Sequence, residues 1–314
     1  MSAVEPIVLP TPLVSVILPT RDRLELLRRA VASVRAQTER RFELIVVDDA
    51  SSDDTPDYLQ QLVAADRRIR IVRNALPGGG GGARNAGIRL SGARWVAFID
   101  DDDEWLPHKL EQQLRILQSD GAAVACSCGY LVRSRSGASK VMAVRANTTV
   151  QELLTNNWLG GASTCVCSSE ALRDIGGFDP SLRAGQDLDL WVRLRQRGKV
   201  AICAETLVIH RAHAGPRITT DTKSQYLGVR RFYFKHRDLM VPATRRHRLS
   251  YCCYVMSMQI ARPLRRRMRL LIMAAINTSP RYSAGFVKWS AWLLVRDAFA
   301  QSLAAFKPAC TARE

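Results

Sequence analysis

Residues 95–105, WVAFIDDDDEW, place a run of acidic side chains directly after an apolar segment. The apolar part, Trp95–Ile99, is predicted to be a buried parallel strand, and the acidic part, Asp100–Glu104, follows its carboxyl end. Ligands of open α/β sheets bind at that edge. Because so many like charges are unfavourable together without a cation, the stretch predicts a site for a hard divalent ion, Mg²⁺ or Mn²⁺. An acidic helix start is the purely structural interpretation, and the preceding buried strand disfavours it.

The segments around this stretch alternate between strand and helix patterns. Apolar runs predict strands at 13–19, 42–47 and 69–72, and helical spacing between them predicts helices at 24–34, 58–63 and 83–90. This order predicts an α/β fold with a mostly parallel, Rossmann-like sheet flanked by helices. After residue 107 the pattern is irregular, with helices predicted at 108–118, 150–154 and 188–197. Beyond Asp221 only helices are predicted, and this part is rich in arginine.

Two further segments bring polar groups to the same edge of the sheet. Asp48 and Asp49 end the second predicted strand and are expected to bind a base or ribose, whereas residues 51–55 are typical of helix capping. The glycines Gly78–Gly82 formally match a dinucleotide fingerprint, but they follow the third strand instead of the first. A flexible loop and helix start beside a diphosphate is the better interpretation, with Arg84 as a phosphate ligand.

In this order, the segments resemble glycosyltransferase family 2, whose members have the GT-A fold. The resemblance rests on VSVILPTRDR (14–23), VDDASSDDT (47–55), GARNAG (82–87) and the acidic run, and it covers roughly residues 13 to 215. It implies that Asp100 and Asp102 form an Asp-x-Asp metal box, flanked by Asp101 and Asp103. The nucleotide site is assigned to Pro19, Thr20, Arg21, Asp22, Asp48, Arg84, Asp100 and Asp101.

The resemblance continues downstream. Residues 185–191, GQDLDLW, resemble the family's Glu-Asp box with Gln186 in place of the glutamate, and Asp187 matches the general base. A carboxylate opposite the leaving diphosphate can take the proton of the acceptor hydroxyl, which implies inversion at the sugar carbon. The structural alternative is that Asp187 caps the following helix. His213 matches a histidine that binds the metal or the diphosphate, and His210 stands where the family usually has tyrosine.

The net charge of +17 is concentrated in the last third of the chain, where 17 Lys/Arg face three acidic residues after residue 224. Such a segment usually meets an anionic surface. The helices expected at 268–276 and 286–306, with Trp289 and Trp292, could lie flat on a membrane or pack on the catalytic domain. The sequence leaves both open. No nucleic-acid motif accompanies the arginines, so no nucleic acid is expected as a partner.

Targeting signals and cysteine spacing bear on the compartment. No signal peptide and no apolar run long enough to span a membrane are visible. The eight cysteines lack the spacing of a zinc site and are expected to be reduced. We therefore expect a cytoplasmic protein, with peripheral contact to the inner face of the membrane left open by the basic helices.

Together these features predict three parts: a nucleotide-sugar-binding half at 1–110, an acceptor-binding and catalytic half at 111–220, and a basic helical region at 221–314. The predicted enzyme is an inverting glycosyltransferase. It would move a sugar from UDP or dTDP to a hydroxyl of a saccharide or lipid-linked saccharide, in cell-surface polysaccharide or glycolipid biosynthesis. Two alternatives stay open. A sugar-phosphate nucleotidyltransferase normally has a glycine- and arginine-rich loop where residues 19–22 stand, and a catalytically silent module would only bind nucleotide sugars or membranes.

Overall fold

The chain divides into two compact units, Met1–Thr220 and Asp221–Glu314. The computed structural model describes residues 11–213, 221–257 and 269. Within these residues, every strand belongs to the first unit and all strands form one sheet. The predicted α/β fold, a sheet flanked by helices, is confirmed.

The sheet has a parallel half and a mixed half. Its strands are β1 (Val14–Thr20), β2 (Phe42–Asp48), β3 (Ile69–Arg73), β4 (Trp95–Phe98), β5 (Asp103–Trp105), β6 (Ala123–Arg133), β7 (Ser139–Met142), β8 (Cys165–Ser168) and β9 (Lys199–Arg211). They lie in the order β3-β2-β1-β4-β8-β6-β9-β5, with β7 paired to β6. The first four strands in this order are parallel. In the other half β6 and β9 are parallel, and the remaining pairs are antiparallel.

Helices cover both faces of the sheet. They are α1 (Leu24–Arg35), α2 (Thr55–Ala65), α3 (Gly79–Leu90), α4 (Lys109–Ser119), α5 (Val150–Thr155), α6 (Ser169–Asp174) and α7 (Gln186–Arg197). Because strand side chains alternate, Val16 and Leu18 join a core with apolar residues of α1, α2 and α4. Ile17 points to the other face, towards α3. There Gly87 passes so close that a Cβ would lie 2.5 Å from Ile17 Cγ2, so only glycine fits.

Two local elements differ from the sequence-based expectation. The acidic run continues into β5, which pairs with β9 so that Asp103 lies opposite His210. The first glycines were expected to form a loop, but α3 already begins at Gly79, four residues before the predicted helix start.

The described part of the second unit consists of two helices, α8 (Thr222–His236) and α9 (Pro242–Ser257). They pack against each other, with the Arg248 guanidinium 4.7 Å from the ring centre of Phe232. Within the described residues no helix is long and apolar enough to cross a membrane. The segments 268–276 and 286–306, with Trp289 and Trp292, lie outside the described residues except for Arg269.

Candidate active site

A cleft opens where β1 and β4 end, and the ends of β6 and β9 also line it. Its lining includes Pro19, Thr20, Arg21, Asp49, Arg84, the run Asp100–Asp103, Val132, His210 and Arg211. Most of the residues assigned to the nucleotide and metal therefore meet in one place. Four assigned residues are not part of this lining: Asp22, Asp48, Asp187 and His213.

Three carboxylates form a compact cluster in the cleft. One carboxylate oxygen each from Asp100, Asp102 and Asp103 can be chosen so that all lie within 4.8 Å of one another. Hard carboxylate oxygens at such spacing fit Mg²⁺ or Mn²⁺. Asp100 and Asp102 are the predicted metal-box residues, and the cluster adds Asp103, which the sequence predicts only as a flanking residue. His213 approaches the cluster at Asp102, with Nε2 2.9 Å from Oδ2.

Asp103 is fixed by two side chains from distant parts of the sequence. Ser163 Oγ donates to Asp103 Oδ2 at 2.5 Å and accepts the backbone N–H of Asp100 at 3.0 Å, so one hydroxyl ties two members of the cluster together. On its other oxygen, Asp103 contacts His210 Nδ1 at 2.6 Å. Burial raises the pKa of Asp103 to about 6, although His210 opposes this shift. Burial lowers the pKa of His210, but the carboxylate of Asp103 outweighs it and the pKa lies above its ordinary value.

Asp101 is not part of this cluster and binds the end of β1. Its carboxylate accepts hydrogen bonds from Thr20 Oγ1 at 2.9 Å and from Arg23 Nη1 at 3.1 Å. Burial raises the pKa of Asp101 to about 6 against the effect of Arg23. Asp101 and Thr20, both assigned to the nucleotide, thus bind each other and shape the floor of the cleft.

Asp48 offers an unused acceptor at the end of β2. The residue is buried, and its Oδ1 accepts the backbone N–H of Ser51 at 2.8 Å. The other oxygen, Oδ2, accepts no hydrogen bond from the described residues, although Arg73 Nε lies 3.4 Å away. A buried acceptor without a donor is costly, so a ligand N–H or O–H at this oxygen is favoured.

The neighbouring polar residues mostly hold loops. Asp49 was assigned to the ligand, but it accepts the backbone N–H groups of Gly78 and Gly79, both at 2.8 Å, and so fixes the start of α3. Ser51 and Ser52 were expected to help cap α2. They bind Asp22 instead, through Ser51 Oγ at 3.0 Å and the Ser52 N–H at 2.6 Å, so the capping prediction is wrong for these serines. The Ser52 N–H also lowers the pKa of Asp22.

Arg84 connects the carboxylate cluster to the start of α7. Its guanidinium donates to Asp100 and, at 3.4 Å, to Gln186 Oε1. Burial disfavours the charge of Arg84, but Asp100 and further carboxylates outweigh this and raise its pKa. The side chain of Gln186 lies against the glycine run, where a Cβ on Gly81 would meet its Nε2 at 3.0 Å. Gln186 therefore packs directly on the glycine run.

Asp187 lies in the first turn of α7 beside this connection. The helix begins at Gln186 with Gly185 as its N-cap, so the prediction that Asp187 caps the helix is wrong. Its Oδ1 accepts the Leu188 N–H at 2.8 Å and its Oδ2 accepts Asn157 Nδ2 at 3.0 Å. The residue as a whole is partly exposed. Burial of the carboxyl group raises the pKa of Asp187 above the ordinary value against the effects of the Leu188 N–H and Arg84, which favours a carboxylate able to accept a proton.

Comparisons with known proteins agree with this arrangement. The model of glycosyl transferase family 2 matches residues 15–176. Over 192 residues the chain is 34% identical to TuaG of Bacillus subtilis, which is named as a teichuronic acid biosynthesis glycosyltransferase; the match covers 60% of this chain and 75% of TuaG. Over 148 residues it is 32% identical to WfgD of Escherichia coli, a UDP-Glc:alpha-D-GlcNAc-diphosphoundecaprenol beta-1,3-glucosyltransferase, covering 47% of this chain and 57% of WfgD.

A solved structure extends the match to the architecture. The mannosyltransferase PcManGT from Pyrobaculum calidifontis, in complex with GDP-Man and Mn²⁺, aligns with a TM-score of 0.59 over 95% of this chain and 82% of its own. At 18% identity this likeness shows the fold alone. The family match covers half of the chain, and three quarters of TuaG aligns at 34% identity. The chain therefore belongs to glycosyltransferase family 2, has the GT-A fold and is a glycosyltransferase.

Proposed function

We propose that this enzyme transfers a sugar from a UDP- or dTDP-linked donor to a hydroxyl of a saccharide or lipid-linked saccharide, with inversion at the sugar carbon. The observation that carries the proposal is a division of the site. Arg84 contacts Asp100, a member of the carboxylate cluster that suits a diphosphate with its metal. It also contacts Gln186, and the next residue along the chain is the partly exposed Asp187.

The donor half follows from the cluster and the end of β2. Asp100, Asp102 and Asp103 would hold Mg²⁺ or Mn²⁺, and His213 would complete the site or contact the diphosphate. The ion supplies neutralisation of the charge that develops on the leaving diphosphate. Asp48 Oδ2, which accepts no hydrogen bond from the described residues but lies 3.4 Å from Arg73 Nε, would accept a hydrogen bond from the nucleoside. Arg21, which lines the cleft and is paired with Asp22, would contact the donor from the end of β1.

The acceptor half follows from Asp187. Its carboxylate is held by neutral donors and the residue as a whole is partly exposed, so it can take the proton of the attacking hydroxyl. Arg84 contacts Asp100 and also Gln186, the residue before the base, and this fixes the distance between the two halves. Attack from the side opposite the leaving group inverts the sugar carbon in a single displacement.

The acceptor class and the location are proposed from the relatives. WfgD acts on a lipid-linked diphosphate saccharide and TuaG is named for a surface polysaccharide. A similar acceptor would place this enzyme at the cytoplasmic face of the membrane, where the basic C-terminal helices could contact anionic lipid. The donor and acceptor lie within the first unit by this proposal, and the second unit would supply the peripheral contact.

The test is an assay with UDP-, dTDP- and GDP-sugars, Mn²⁺, and acceptors with and without a diphosphate lipid. Mass spectrometry identifies the product, and the anomeric proton coupling in its NMR spectrum gives the stereochemistry. One new glycosidic bond of inverted configuration supports the proposal, and a retained configuration contradicts it. Release of pyrophosphate from a nucleoside triphosphate would favour a nucleotidyltransferase, and nucleotide-sugar binding without turnover would favour a silent module.

A further inference from the structure

We infer that Asn157 positions the general base: its side-chain amide fixes the carboxylate of Asp187 in the orientation that accepts the acceptor's proton. This inference rests on the proposed role of Asp187 as the base. Asn157 lies in the loop between α5 and β8, 30 residues before Asp187, and its Nδ2 donates to Asp187 Oδ2 at 3.0 Å. Neither the acidic run nor the segment around Asp187 points to it.

The orientation of the Asn157 amide is determined by three partners. Its Oδ1 accepts the backbone N–H of Leu159 at 3.1 Å, and its Nδ2 donates to the carbonyl of Gly160 at 2.9 Å as well as to Asp187. A flipped amide would turn its single oxygen towards two acceptors, the Gly160 carbonyl and Asp187 Oδ2, and its NH2 group towards the Leu159 N–H. The second N–H is therefore directed at the carboxylate.

The loop that carries Asn157 is itself anchored. The carbonyl of Leu159 accepts Ser127 Oγ at 2.6 Å and Thr164 Oγ1 at 2.9 Å. The carbonyl of Gly160 accepts Trp191 Nε1 at 2.9 Å, which links the loop to the same helix that bears Asp187. Because these contacts are buried, the amide reaches the carboxylate from a fixed support.

The arrangement leaves the base able to react. Asp187 Oδ1 is held by the Leu188 N–H and Oδ2 by Asn157, and each carboxylate oxygen has a second lone pair for the acceptor hydroxyl. An N–H donor also favours the ionised form and so opposes the rise in pKa that burial causes. The other charged or titratable groups that face Asp187 are Arg84 of α3, Asp100 after β4 and Tyr130 of β6.

The first test compares Asn157→Ala with the native enzyme in a pH profile of kcat and in the donor KM. We expect kcat at neutral pH to fall about tenfold, and the acid limb of the profile to move up by about one pH unit, because the ionised base loses a donor. The donor KM should stay within about twofold, since Asn157 touches no residue of the carboxylate cluster. Gln60→Ala is the control: it truncates an exposed amide side chain on α2, away from Asn157, and should leave the profile in place.

Asn157→Asp keeps the size of the side chain but replaces the donor by an acceptor, so it should impair kcat more than Asn157→Ala. An unmoved acid limb in both variants, or a donor KM that rises in step with the loss of kcat, would overturn the inference. A measurement without turnover tests the Asn157–Asp187 contact separately from the proposed function. Carbon NMR follows the titration of the Asp187 carboxyl group, and its signal is assigned as the one that Asp187→Asn removes. A pKa that rises in Asn157→Ala supports the contact even if no acceptor is accepted, and an unchanged pKa contradicts it.

Discussion

The two acidic regions of the site are held in opposite ways. After β4, basic side chains contact each carboxylate of the cluster: Arg84 at Asp100, His213 at Asp102 and His210 at Asp103. The hydrogen bonds to Asp187 come instead from neutral groups, the Leu188 N–H and the Asn157 amide. Charged partners suit carboxylates that must stay ionised and hold a cation. Neutral donors suit a carboxylate that must take up a proton and release it in each cycle.

The largest expected effect comes from removing the proton acceptor. Asp187→Asn keeps the shape of the side chain but cannot accept a proton, so kcat should fall by about 10²–10⁴-fold. Nucleotide binding, measured as thermal stabilisation by UDP or dTDP with Mn²⁺, should stay unchanged. Full transfer activity in a folded variant would remove Asp187 from the base role. An equal loss of nucleotide binding would mean that the two regions are not separate.

A substitution in the carboxylate cluster should have the converse effect and impair nucleotide binding. A nucleotide at about 100 times its dissociation constant stabilises the fold by about 2.7 kcal/mol, and Asp102→Asn should abolish the part of this stabilisation that depends on Mn²⁺. Asp101→Asn is the comparison one position away: Asp101 binds Thr20 and Arg23 and is not part of the cluster, and it is linked to the cluster through Arg23 Nη1, which lies 3.8 Å from Asp102 Oδ2. Equal losses in the two variants would contradict the division of the acidic run into a metal side and a structural side.

A smaller effect is expected one contact away from the cluster. Ser163→Ala removes the hydroxyl that joins the Asp100 N–H to the Asp103 carboxylate, and we expect Mn²⁺ affinity to fall about tenfold, at the lower end for residues that orient metal ligands. Electron paramagnetic resonance of free Mn²⁺ measures this without turnover. Ser168→Ala is the control, since Ser168 caps α6 and should change the melting temperature without changing the affinity. Unchanged Mn²⁺ affinity in Ser163→Ala would show that this hydroxyl does not order the cluster.

The sequence predicted the parts of this comparison that depend on local order. The apolar run before Asp100 indicated a buried strand, and a strand end in an α/β sheet is where ligands bind, so the acidic run could be found as a cation site from pattern alone. The choice of Asp100 and Asp102 within it came from the family resemblance. Asp187 and His213 came from the family resemblance. Asp103 was within the same run, but its place in the cluster depends on the pairing of β5 with β9, which brings it opposite His210.

Residues that act through long-range contacts could not be predicted. Ser163 lies 60 residues from Asp103, and Asn157 lies 30 residues from Asp187. Neither is part of a periodic pattern or of a charged segment, so their types carry no local signal. For Ser51 and Ser52 the local signal was present but misleading. Their spacing is typical of a helix cap, but Asp22, just after β1, lies close enough to form hydrogen bonds with them instead.

The smallest effect tests the junction that separates the two regions. Gly81 and Gly82 are adjacent in α3, but a Cβ on Gly81 would meet Gln186 Nε2 at 3.0 Å, whereas a Cβ on Gly82 would meet nothing within 4 Å. Gly82→Ala should stabilise the fold by up to about 1 kcal/mol through helix propensity. Gly81→Ala should lose this gain, because Gln186 must give up its contacts with Arg84 and the Leu182 carbonyl.

Denaturant unfolding measures the free energy of unfolding of both variants. Gln186→Ala, alone and combined with Gly81→Ala, completes a double-mutant cycle. In the Gln186→Ala background, Gly81→Ala should show the stability gain that Gly82→Ala shows alone, since the three atoms nearest to the added methyl group all belong to Gln186. If the effects of Gly81→Ala and Gln186→Ala on the free energy of unfolding are additive, Gln186 does not pack on Gly81 as the structure indicates. If the two effects are coupled, Arg84 loses Gln186, one of its two hydrogen-bond partners, in Gly81→Ala, while the carboxylate cluster stays intact. The donor side and the base side would then be linked through the packing of one glutamine on one glycine.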